Sequence, residues 1–142
     1  MRLLVLRITL GVIAAFQIGF GAIFFFAPTV YPDAVGLDPV PAWASWMFAL
    51  FGARALGFGA GMILAIRDPL GHRSWIAIMI GVQVIDWIAT LVAILQGSLT
   101  VAQASTAAFM PVLFVIALLL SFPRRADTRA TTLQPIANAV RP

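Results

Sequence analysis

The chain has 142 residues, of which 62% are apolar and only 10% charged, with a mean hydropathy of +1.03. Nine arginines, five aspartates and one histidine cannot cover a soluble domain of this length with a charged surface, so a soluble enzyme and a disordered tail are excluded and an integral membrane protein is implied. The net charge of +4 comes from arginines at the ends of apolar runs and not on one face, which excludes a nucleic-acid partner, and the absence of cysteine removes disulfides, thiolate nucleophiles and Cys metal clusters.

The first apolar run extends from about Leu3 to Phe26 and stops at Ala27-Pro28. Met1-Arg2 resembles a short basic signal-peptide start, but the run exceeds the roughly 7 to 15 residues of a signal core, and Ala27-Pro28 is a poor cleavage site, so a retained helix is expected. Pro28 to Ala42 follows as the longest connection and the one richest in proline. It suits a lid over one end of the molecule, an intermolecular contact or a spacer. A second run, about Trp43 to Ile66, begins after Pro39 and Pro41 and ends at Asp68-Pro69-Leu70-Gly71. The third covers about Trp75 to Gln96 and is closed by Gly97-Ser98, and the fourth covers about Ser105 to Phe122 and is closed by Pro123. Each approaches the roughly 20 apolar residues that a spanning helix needs. The expected fold is therefore all-α, an integral membrane four-helix bundle over residues 1–122, followed by a polar tail, 123–142, that is mobile or contacts something in the cytoplasm.

Orientation follows from the arginines. Arg2 and Arg7, Arg67 and Arg73, and Arg124, Arg125 and Arg129 mark one side, whereas the first loop carries only Asp33 and Asp38 and the third loop, Gly97 to Ala104, has no charge. The positive-inside rule then puts both termini in the cytoplasm. Trp43, Trp46 and Trp75 sit near span ends, as interfacial anchors do. Small residues four apart, Gly11, Ala15 and Gly19 on the first helix and Ala53, Gly57 and Gly61 on the second, are expected to bring those helices into contact.

Two ionisable residues fall deep within spans. Arg54 precedes Arg67 by thirteen positions and Asp86 follows Arg73 by thirteen, so on antiparallel neighbours they lie at one depth. An isolated charge there costs about 2.5 to 3.5 kcal/mol, which predicts an ion pair. Gln83, Asp86 and Thr90 share one face of the third helix, and Gln17 lies near the middle of the first. A guanidinium has five donors, so Gln17 and Gln83 are the further acceptors for Arg54. This network of Arg54, Asp86, Gln83, Gln17 and Thr90 serves either to fix helix register or to bind a ligand or exchange a proton.

No other chemistry can be assembled. His72, the sole histidine, falls in the loop between the second and third spans, and a haem ligand would sit on a span. The methionines Met47, Met62, Met79 and Met110 read as packing residues. Gly57-x-Gly59-x-Gly61 imitates a nucleotide fingerprint but lies inside a span. With no glutamate, no cysteine and one histidine, no catalytic residue and no metal site is assigned, and no intrinsic cofactor is expected.

Phe25-Phe26-Ala27-Pro28 at the end of the first helix, Phe51-Gly52-Ala53-Arg54-Ala55-Leu56-Gly57 in the second and an internal aspartate in the third resemble the small four-helix bacterial membrane proteins of the DoxX-like superfamily. The resemblance covers about residues 5–122, and of the candidate residues only Arg54 falls on a shared position. It implies a bacterial inner membrane location and, by analogy with members that act as small subunits of quinone-linked oxidoreductases, lipid or quinone as the lipophilic molecules in reach. The expected role is an accessory or scaffold subunit of a larger inner-membrane complex, through helix contacts with other subunits or with itself, and not an enzyme. The alternative is a stand-alone carrier, channel or lipophilic-ligand binder built on the Arg54/Asp86 pair.

Overall fold

Helix forms wherever an apolar run predicts it. In the computed structural model, which describes residues 1–37 and 41–123, the order is α1 Arg2–Phe26, α2 Val30–Ala34, α3 Ala44–Arg67, α4 Arg73–Leu95 and α5 Ser105–Ser121, with no strand among the described residues. Asp38 and Pro39 of the first loop, and the expected tail from Arg124 onward, lie outside the described residues. α1, α3 and α4, of 25, 24 and 23 residues, are long and apolar enough to cross a membrane. α5 is apolar throughout but has 17 residues, about 26 Å at 1.5 Å per residue, the short end of the spanning range.

The helix ends obey local rules. Pro28 and Pro69 follow the last turns of α1 and α3, where they cannot continue the hydrogen-bond ladder. α4 ends at Gly97, whose φ of 73° is left-handed and favours glycine. Between α3 and α4 the Asp68 carboxylate accepts the Gly71 N–H at 3.0 Å, and the Asp68 carbonyl lies 2.8 Å from Nδ1 of His72. This side-chain-closed turn makes α3 and α4 antiparallel. At the same end Arg2 Nη2 donates to the Phe122 carbonyl at 2.8 Å, and the Arg73 guanidinium lies 5.2 Å from the centre of the Phe122 ring. Arg2, Arg67 and Arg73 thus share one end of the molecule, the basic end. α2 lies at the other end, where Gln103 Nε2 donates to the Gly36 carbonyl at 3.0 Å and ties the α4–α5 connection to the first loop.

α1 packs along α3 more closely than any other pair, and the residues that allow it are not those expected from sequence. A methyl group at Gly52 would lie 2.6 Å from the Phe25 nitrogen and 2.7 Å from the Gly21 carbonyl, and one at Gly59 would lie 2.6 Å from Ile18 Cγ1 and 3.4 Å from the Ala14 carbonyl. The small residues that meet are therefore Ala14 and Gly21 against Gly59 and Gly52, spaced by seven and antiparallel, the period of helices that wrap around each other. A methyl group at Gly19 or Gly57 would meet nothing within 4 Å, and Ala15 and Ala53 are exposed. Of the four-residue ridges only Gly11 looks toward α3, with Ile66 Cδ1 at 3.9 Å from the position of an added methyl, and Gly61 faces Trp75 of α4, while the seven-residue spacing holds one face against a neighbour.

The apolar core fills the half of the molecule near the basic end. Leu6, Leu10, Ile13, Met62, Ala65, Ile76, Met79 and Leu118 form it with Ala14 and Phe114. Across α3 and α4 the contact is slight, and its centre is Trp75, whose indole covers Gly61 and stands 6.2 Å from the Phe58 ring.

Gly52→Ala is expected to destabilise the purified protein by about 1 to 3 kcal/mol, because backbone faces the new methyl and cannot yield. Gly57→Ala should leave the melting temperature unchanged or raise it. Thermal melting of both variants in one detergent checks this, and equal losses would contradict the α1–α3 contact.

Candidate functional site: a cavity beside Asp86

An open pocket of about 320 Å³ is lined by residues of α1, α3, α4 and α5, with Tyr31 of α2 bordering it on the side away from the basic end. Pockets that hold drug-sized molecules run from about 300 to 1,000 Å³, so this one suits a small ligand. On α1, Phe16, Phe20 and Phe24 follow one another at four-residue intervals and present a ladder of rings, with centroids 6.0 Å and 6.3 Å apart. Tyr31 meets Phe20 and Phe24 at 5.6 Å and 5.4 Å, Phe51 of α3 meets Phe24 at 5.2 Å, and Phe114 of α5 meets Phe16 at 5.5 Å. These spacings are those of stacked and edge-to-face aromatic pairs, which hold the walls in place.

The polar groups enter from α4 and α1, with Thr106 from α5. Gln83, Asp86 and Thr90 line the cavity from one face of α4, as their spacing predicts, and Gln17 lines it from α1. Gln83 is only 5% exposed and donates its amide N–H to the Met79 sulfur at 3.6 Å, a weak bond made along its own helix. The Thr90 hydroxyl donates to the Asp86 backbone carbonyl at 2.8 Å, one turn back. Four of the five expected residues are therefore brought together.

Arg54 is not among them. It is exposed, does not line the cavity, and among the described residues no arginine nitrogen lies within the 4.0 Å that defines an ion pair with an aspartate. The expected Arg54–Asp86 pair is thus corrected, and the reason is the rotation of α3. Phe51 and Ala55 are the α3 residues that line the cavity beside Asp86, and Arg54, about 100° around the helix from Ala55, is not on that face.

Residues that sequence reasoning missed include the aromatic walls, Phe16, Phe20 and Phe24 on α1, Phe51, Tyr31 and Phe114. The four-residue interval of the three α1 rings was a readable signal; the contributions of Tyr31 and Phe114 had none, since they depend on how α2 and α5 dock. α5 is placed by Trp87, whose indole N–H donates to the Ala108 carbonyl at 3.0 Å. That carbonyl is one residue beyond Ala107, whose own carbonyl loses its helical donor to Pro111.

The chain matches no protein-family model, no curated protein and no solved structure with which it was compared.

If Arg54 and Asp86 are uncoupled, the melting losses of Arg54→Leu and Asp86→Leu should add in the double variant to within about 0.5 kcal/mol. A double variant more stable than either single variant would show that the two charges do meet.

Proposed function

We propose that this protein is a multi-pass membrane protein that binds a small lipophilic molecule between its helices. The observation that carries the reading is the cavity itself: an open aromatic pocket with three polar side chains of α4, one of α1 and one of α5 set into its wall. A cavity this apolar, with a few convergent polar groups, is the usual form of a ligand site. Four spans, with α5 as the shortest, and both termini in the cytoplasm of a bacterial inner membrane complete the reading. Its support is the gathering of Arg2, Arg67 and Arg73 at one end, as the positive-inside rule requires. In this topology Ser98 faces away from the cytoplasm, so a Ser98→Cys thiol should react with a membrane-impermeant maleimide from outside intact spheroplasts. Reaction only after lysis would reverse the orientation.

Occupancy of the cavity is tested with a neutral aryl diazirine in liposomes. Photolabelling should concentrate on the peptides that contain Phe20 and Met110, and Ala89→Trp, which places a ring at the exposed Ala89 position in the wall, should abolish it there while sparing lipid-facing residues such as Leu120. Labelling that is uniform over Leu120, Ile85 and the cavity residues would refute the reading.

A second reading, an accessory subunit of a larger membrane complex of the DoxX-like kind, draws support from Arg54. An exposed guanidinium ten residues into a 24-residue span calls for a counterpart, and a carboxylate or backbone carbonyl on another chain supplies one. Mild-detergent purification decides it: a stoichiometric second chain that is lost on Arg54→Leu supports it, and the protein alone in both cases rejects it.

A further inference from the structure

Resting on the ligand-binding reading, the chemical class of the ligand can be taken from the charge and the aromatic rings of the cavity wall. The lining contains one ionisable carboxyl, Asp86, and no arginine or histidine. The Gln83 amide donates one N–H to Met79 and the Thr90 hydroxyl donates to the Asp86 carbonyl, while Gln17, Tyr31 and Thr106 bring further neutral polar groups to the wall, so its only charged group is the carboxyl of Asp86. Around them stand Phe16, Phe20, Phe24 and Tyr31, whose ring faces carry negative quadrupole charge. A wall whose one charged group is a carboxyl set among aromatic rings is complementary to positive charge spread over an apolar body. An anion would meet Asp86 with no basic group in the wall to offset it.

We infer that the cavity takes a lipophilic organic cation, a protonated or quaternary amine with an aromatic or branched apolar body. The ammonium sits at Asp86, with the Gln83 carbonyl beside it, and the body lies along the α1 ring ladder. Arg54, the nearest basic group by helix depth, is outside the lining on α3 and does not compete for the carboxyl. The apolar wall selects against small hydrated cations, since none of the side chains there could replace a full hydration shell.

The test uses the full chain in mild detergent and tritiated benzyltrimethylammonium, with neopentylbenzene, the uncharged analogue of the same shape, as competitor. The cation should bind saturably, and the neutral analogue should displace it at least about tenfold less well than unlabelled cation does, the discrimination that a carboxylate beside aromatic rings provides. Asp86→Asn should weaken binding by about tenfold or more, and Asp86→Glu should restore most of it. Equal competition by neopentylbenzene, or full binding by Asp86→Asn, overturns the assignment. If Asp86→Asn does not fold, the comparison of the two ligands on the unaltered protein decides alone. No cation binding together with diazirine labelling of the cavity overturns the cation while leaving the ligand-binding reading intact, whereas absence of both removes the two together.

Discussion

The contact between α1 and α3 at Gly21 and Gly52 governs the rest of the molecule. Here two backbones approach so closely that no side chain fits between them, and the Gly59–Ala14 contact repeats the approach two turns away. In lipid, where apolar side chains gain little from leaving their surroundings, such backbone proximity is a main source of helix association. It commits α3 to α1 along its whole length. What α3 gives to α1 it withholds from α4, and the single strong contact left between α3 and α4 is the indole of Trp75 laid over Gly61.

From that unequal packing the two halves of the molecule acquire different characters. Near the basic end, aliphatic side chains of α1, α3, α4 and α5 fill the interior, and Arg2, Arg73 and the Asp68 turn fasten the helix ends. Toward the other end the same four helices border an open pocket with aromatic rings. Rings suit this half because a wall of stacked and edge-to-face pairs supports itself without filling the space it borders. α2 adds to this border: Pro32 is buried beneath it, Tyr31 reaches the α1 rings, and Gln103 holds the loop from across the gap. The short helix that looks like a connection in the sequence is therefore part of the pocket.

Polar side chains in such a pocket are held by their own helix. Gln83 and Thr90 bond one turn back along α4, which fixes their rotamers without any partner helix and leaves Asp86 between them. Because these bonds are local, the polar stripe survives any change in the tilt of α3 or α5, and its arrangement belongs to α4 alone. Arg54 has no such local partner, and its environment is set by whatever lies outside the molecule on the α3 side.

The sequence by itself determined what a single helix can encode. The apolar runs, their proline and glycine boundaries, the gathering of arginines at one end and the common face of Gln83, Asp86 and Thr90 all follow from residue order and the helical period. The polar face midway along α4 was legible for the same reason. Tertiary structure alone decided which small residues meet, that Arg54 and Asp86 stay apart at equal depth, and that Tyr31 and Phe114 face the rings of α1. Those outcomes depend on the rotation and tilt of one helix against another, which arise from the summed packing of whole faces. The four-residue ridges at Gly11, Ala15 and Gly19 and the seven-residue spacing of Ala14 and Gly21 coexist in one helix, and only the fit against α3 selects between them.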